Sequence, residues 1–99
     1  MIKVYLKKFQ SSNPKKYQVT FEDGSKISFG QTGARDYLIT KDKKLKESYI
    51  LRHKRNENWD KSGVRTAGFW SRYISWNKPT LQESIRDIKN KFNIDVIIK

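Results

Sequence analysis

At the start of the chain Ile2, Val4 and Leu6 alternate with Lys3, Tyr5 and Lys7. A period of two marks a strand with one buried and one exposed face. Tyr17, Val19 and Phe21 repeat the pattern around Gln18 and Thr20, and Ser11-Ser12-Asn13-Pro14 supplies the turn between the two runs. Asp23-Gly24 then precedes Lys26-Ile27-Ser28-Phe29. A two-residue Asp-Gly link between alternating runs predicts a hairpin whose two turn positions both take positive φ. Residues 2–29 thus predict a three-stranded antiparallel meander, closed by Gly30, Thr32 and Gly33. Its apolar face has to be covered by the rest of the chain.

That remainder switches to a helical period. Thr40 is placed to cap a helix over about 41–54, with Asp42 favourable in the first turn. Leu45, Tyr49, Ile50 and His53 give it an inner face, and Lys41, Lys43, Lys44, Lys46, Arg52, Lys54 and Arg55 crowd the rest. Asn56 to Val64, polar and containing Ser62-Gly63, reads as a loop carrying Trp59. A second helix is expected over about 66–76, with Phe69, Tyr73 and Trp76 on one face and Trp70 and Ile74 extending it. Thr80-Leu81-Gln82-Glu83 is a capping box. Leu81, Ile85, Ile88 and Phe92 follow at helical spacing, and Asn93 suits the position just past the helix end. The β-branched run Ile94 to Ile98 suits a short edge strand beside the meander. The expected fold class is α+β in one domain, 1–99: the N-terminal meander, about three helices packed on one face, and a short C-terminal strand.

Charge dominates what such a fold would present. Twenty-two Lys and Arg oppose ten Asp and Glu, a net +12, in a chain that is 32% charged and 35% hydrophobic. Those proportions approach disorder. The aromatic content of 13%, three Trp included and regularly spaced, argues instead for a folded domain with a solvated exterior. Its field attracts polyanions, of which nucleic acid is the commonest; an acidic protein or an anionic membrane surface satisfies it too. The absence of Cys excludes a disulfide framework, a zinc ribbon and a thiol nucleophile, and the single His, His53, excludes a His-rich metal site within one chain. No cofactor is expected. No apolar run is long enough to span a membrane, and Met1 to Lys8 lacks the apolar core and small-residue cleavage site of a signal peptide. An intracellular location, or a particle assembled inside a cell, is expected.

The densest segment is 52–65. Arg52, Lys54 and Arg55 gather at an expected helix end, where the helix dipole favours cations and where phosphates can be met. Asn56, Asn58 and Ser62 add neutral donors; the alternative is simply a helix finished with basic residues. Trp59, Phe69, Trp70, Tyr73 and Trp76 are interleaved with Lys61, Arg65, Arg72 and Lys78, and exposed aromatics beside cations stack unpaired bases. Spacing assigns Phe69, Tyr73 and Trp76 to the core, while Trp59 either faces a ligand or lids the core. The expected nucleic-acid contacts are Lys43, Lys44, Arg52, Lys54, Arg55, Trp59, Lys61 and Arg65, with Lys7, Lys8, Lys15 and Lys16 as a second patch. His53, Glu57 and Asp60 hold the inventory of a general base with carboxylate-bound Mg²⁺, a weaker nuclease alternative at a spacing that matches no metal motif. Gly30-Gln31-Thr32-Gly33 looks like a phosphate-cradling turn but lacks the Lys-Ser/Thr of a P-loop, which leaves a plain turn as the simpler reading.

The run from Tyr49 to Phe92 adds a resemblance. Tyr-Ile-x-Arg-His-Lys at 49–54, Glu57-Asn58-Trp59, Ala67-Gly68-Phe69-Trp70-Ser71-Arg72, Trp76-Asn77-Lys78-Pro79-Thr80-Leu81 and Ser84-Ile85 together resemble a small, basic, uncharacterised protein family of large double-stranded DNA viruses of eukaryotes. It covers nearly the whole chain, Phe29-Gly30 included. It implies a viral origin and supplies no catalytic residues. The leading expectation is non-enzymatic, largely sequence-independent binding of nucleic acid, DNA ahead of RNA, in viral genome packaging. The alternative is a structural virion or capsid-associated protein whose basic face meets an acidic virion protein or lipid headgroups. The location implied is the virion, or the host cytoplasm or nucleus.

Overall fold

In the computed structural model, which describes residues 2–99, the alternating runs become β1 (Ile2–Lys8), β2 (Lys15–Phe21) and β3 (Lys26–Gln31). β1 and β2 are antiparallel, with Val4 opposite Phe21 and Leu6 opposite Val19. β2 and β3 are antiparallel, with Val19 opposite Ile27 and Tyr17 opposite Phe29. Each pairing sets apolar against apolar on one face, which is the register a one-sided core demands. β4 (Ile94–Ile98) lies parallel to β1, Ile94 opposite Ile2 and Val96 opposite Val4, and completes the order β3-β2-β1-β4.

The β2–β3 hairpin differs from the two-residue link expected. Gly24 N donates to Phe21 O at 3.0 Å and Phe21 N to Ser25 O at 2.9 Å. In this three-residue loop Gly24 alone takes a positive φ, +90°. The Asp23 carboxylate accepts from Ser25 N at 2.9 Å and Ser25 Oγ at 2.6 Å. Those two bonds favour the longer loop, a turn followed by a left-handed glycine.

Among the described residues there are four α-helical segments, one more than expected: α1 (Tyr37–Thr40), α2 (Lys43–His53), α3 (Ala67–Trp70) and α4 (Leu81–Phe92). Thr40 closes α1 instead of capping α2, because Lys41 turns left-handed (φ 54°) and breaks the helix there. Asp42 is the cap of α2, its Oδ1 accepting from Lys44 N at 2.9 Å and Leu45 N at 3.4 Å. The loop after α2 contains a 3-10 turn, Lys61–Gly63. Past α3 the chain does not continue as a regular helix: Ser71–Ser75 form a π turn, with Trp76 N donating to Ser71 O at 3.0 Å. The wider turn leaves Phe69, Trp70, Tyr73 and Ile74 as the buried face and Trp76, an expected core residue, only half-buried. α4 matches its expected bounds. Thr80 Oγ1 accepts from Glu83 N at 3.2 Å and donates to Glu83 Oε1 at 2.9 Å, and Asn93 is left-handed at φ 57°.

The core forms between the apolar sheet face and α3, the π turn and α4. Val4, Leu6, Val19, Phe29, Ile94, Phe69, Trp70, Ile74 and Ile88 are all at most 1% exposed, and burying each large apolar side chain is worth about 1.5–3 kcal/mol. Trp70 Nε1 donates to Val64 O at 2.7 Å, so its one polar atom is satisfied inside. α2 lies outside this layer. Of its expected inner face only Tyr49 is buried; Ile50 and His53 are half-buried and Leu45 is 43% exposed. Among the described residues, no helix is long and apolar enough to cross a membrane.

Candidate nucleic-acid interface

α2 is held to the body by few contacts. The Tyr49 ring stacks on Trp76 (centroids 4.6 Å apart, planes at 6°) and on His53 (4.4 Å, 26°). Burial pushes the Tyr49 phenol up to about 12. Lys46 Nζ donates to Asn77 O at 2.5 Å and lies 5.0 Å from the Tyr37 ring centroid; burial, and then the nearby Arg72, Lys78 and Lys91, lower its pKa. At about 100° per residue, Lys43, Lys44, Lys54 and Arg55 fall on the half of the helix circumference away from Tyr49, while Arg52, three residues on, lies on the Tyr49 side at its border. All five are exposed, with Glu47 the single acid on the outward half. Four of the eight expected contact residues thus share one outward stripe, and Arg52 flanks it on the cleft side. Leu51, 75% exposed, sits in the middle of it.

One edge of the stripe borders a cleft of about 420 Å³. The ends of β2 and β3 supply Lys15, Lys16, Phe29, Gly30 and Gln31; α2 supplies Tyr49, Arg52 and His53; Ser71, Ser75 and Trp76 close the far wall. Arg52 of the first expected patch and Lys15 and Lys16 of the second therefore meet at one opening. Lys16 Nζ is already bonded to the Ala34 carbonyl oxygen and, at 2.9 Å, to the buried Asp36 carboxylate, which leaves Lys15 and Arg52 as the cations turned to solvent. Glu57 reaches into the same space, its Oε1 3.9 Å from His53 Nδ1. Gly68 makes room for it, since a Cβ there would overlap the Glu57 carboxylate.

The remaining expected residues are placed differently. Arg65 is bound to the hairpin: its guanidinium lies 3.1 Å from Asp23 Oδ2, donates to Ser25 Oγ at 2.5 Å, and covers the Phe21 ring at 4.4 Å. Lys61 is exposed in the 3-10 turn. Neither lines the cleft. Trp59 takes the lid position, half-buried against the core, 6.2 Å from Tyr49 with Arg72 over its ring at 5.6 Å. Of the nuclease trio, His53 and Glu57 come together, while Asp60 begins the 3-10 turn and does not line the cleft. Among the described residues, no group of three or more His, Asp or Glu could hold a metal ion.

Sequence reasoning had no means of grouping Tyr49, Gln31, Ser71 and Ser75 at one opening. The available signal was Ser71 and Ser75 themselves, two small polar residues four apart in a stretch that is aromatic and apolar but for Arg72. The π turn brings both to the cleft wall, and such turns recur at functional sites.

Residues 5–53 match the model of a family described as a family of unknown function, DUF5754. The matched stretch runs from β1 to the end of α2. It includes Lys15, Lys16, Lys43, Lys44 and Arg52, and stops before Lys54, Arg55 and the two serines. Of the motifs that carry the viral resemblance, it includes Phe29-Gly30 and the start of the run at 49–53. No curated protein and no solved structure matches the chain.

Proposed function

We propose that this protein is a non-enzymatic, largely sequence-independent nucleic-acid-binding protein, and that it serves in packaging a viral DNA genome. The observation that carries the binding reading is the outward stripe of Lys43, Lys44, Lys54 and Arg55, flanked on the cleft side by Arg52 and Lys15. A rod of aligned cations on a surface helix suits a duplex backbone. Each phosphate neutralised releases counterions and steepens the salt dependence by roughly 0.9 in log–log slope. Charges gathered at the end of α2 also sit where the helix dipole stabilises them. The viral setting rests on the resemblance over residues 49–92.

The test is fluorescence anisotropy with labelled single- and double-stranded DNA from about 50 to 200 mM salt, with and without Mg²⁺, the probe being checked for cleavage. Affinity is expected to fall by orders of magnitude over that range. Neutralising Lys43, Lys44, Lys54 and Arg55 together should flatten the slope, whereas Arg65→Gln should leave it nearly unchanged because Arg65 is already paired with Asp23. A flat slope, or a probe cut in Mg²⁺ but not in EDTA, counts against the reading.

Leu51 favours a second reading, an acidic protein partner in the virion. A side chain 75% exposed at the centre of a basic stripe fits an apolar anchor ringed by charge. That reading expects weak DNA binding at physiological salt and a partner complex lost on Leu51→Ser.

A further inference from the structure

We infer that the cleft beside α2 takes one nucleotide unit, with its phosphate at Arg52 and Lys15 and its base inside. The inference rests on the nucleic-acid reading for its choice of ligand and names what that surface would hold at its edge.

Size comes first: about 420 Å³ lies within the range of small-ligand sites. Next is an unanswered polar atom. Ser75 is only 2% exposed, lines the cleft, and its Oγ has no hydrogen-bond partner. A buried hydroxyl left unpaired is destabilising, and a ligand atom at the cleft wall would satisfy it. The aromatic wall adds a third feature. Trp76, Tyr49 and His53 form a near-parallel stack at 4.6 and 4.4 Å, and the His53 side chain is 42% exposed. A planar base extends that stack. Gln31 supplies an amide able to donate and accept, and Glu57 a carboxylate able to accept from an exocyclic amine. Cations at the mouth, hydrogen-bonding groups within and a flat aromatic wall together match a phosphate, a base edge and a base face.

The same chemistry comes from two sources, a free nucleotide or the 5′-phosphorylated end of a strand. Isothermal titration of the full chain with the four nucleoside 5′-monophosphates, the matching nucleosides and inorganic phosphate tests it, followed by single-stranded oligonucleotides with and without a 5′-phosphate. At least one monophosphate should bind saturably, tenfold or more tighter than its nucleoside and than phosphate alone. Arg52→Gln, an exposed change that spares the core, should weaken it about tenfold. Lys26→Gln, which removes one charge away from the cleft, should not. Ser75→Ala should weaken it several-fold, with the melting midpoint of the free protein held or raised because the orphan hydroxyl is gone.

A 5′-phosphorylated strand binding at least as well as the monophosphate assigns the site to strand ends; a strand that fails where the monophosphate binds assigns it to free nucleotides. Phosphate alone binding as tightly as any nucleotide, or no saturable binding by any of them, overturns the inference. Duplex binding by the same sample is read separately. Duplex bound with no nucleotide bound sinks only the cleft assignment, and the reverse sinks only the stripe.

Discussion

α2 and α4 are nearly equal in length, 11 and 12 residues, and each is capped by a side-chain oxygen. They differ in what they give the core. α4 inserts Ile88, fully buried, and packs Leu81, Ile85 and Phe92 around it. α2 buries Tyr49 alone, keeps Lys46, Ile50 and His53 half-buried and turns the rest of its surface to solvent. A capped segment of good helix formers forms a helix either way. The spacing of apolar residues then decides whether it serves as structure or as a display surface. α2 spends its sequence on exposed charge, and its attachment is correspondingly thin.

Changes to the two helices should therefore act on different scales. The largest effect is expected from Ile88→Ala, which opens a cavity in the fully buried layer and should cost about 2–5 kcal/mol in a single cooperative urea transition. Tyr49→Ala should act locally. It removes three ring stacks, on His53, Trp76 and Trp59, each worth roughly 0.5–1.5 kcal/mol beyond burial, so amide exchange in 46–53 should rise sharply while α4 and β4 keep their protection. Uniform loss of protection across both helices would show that α2 is integral to the core after all.

Alkali sharpens the same contrast. Burial raises the Tyr49 phenol to about 12 from an ordinary 10.0. The folded state thus favours the neutral form, and this contribution is intact below pH 10 and lost as pH climbs from 10 toward 12. α2 should detach in that window ahead of α4, followed by residue-resolved NMR. Cap removal is a smaller step. Thr80→Ala and Asp42→Ala should each cost about 1 kcal/mol of helix stability, but only the first should lower the global midpoint.

The smallest effect concerns the hairpin. Asp23 is held down to about 2, first by the bond from the Ser25 hydroxyl and then by Ser25 N–H, with Arg65 contributing less. Its stabilisation is present above the ordinary carboxylate range and disappears as pH falls through about 2. By NMR titration, Ser25→Ala should return Asp23 toward normal further than Arg65→Gln does. The opposite order would mean that Arg65 is the stronger partner.

Much of the fold was legible in the sequence because it rests on local rules. Alternation in Ile2–Leu6 and Tyr17–Phe21, the Thr80–Glu83 box and Asn93 each specify an element from adjacent residues. The errors arose where local options were close in energy. Thr40 and Asp42 are both good caps, and only the left-handed turn at Lys41 selects the second. Leu45 has the spacing of an inner residue, yet no part of the core reaches it.

The cleft was hidden for a different reason. Lys15 and Arg52 are far apart in sequence and lie on elements of different type; only the docking of α2 beside the β2 and β3 ends brings them to one opening. The sequence by itself determined a one-sided sheet, an amphipathic α4 and a strongly positive surface, because periodicity and charge are properties of the chain. Tertiary structure alone decided which cations share a face, which hydroxyl is left unpaired and which aromatics stack. Those depend on distances between segments, which packing sets and residue order does not.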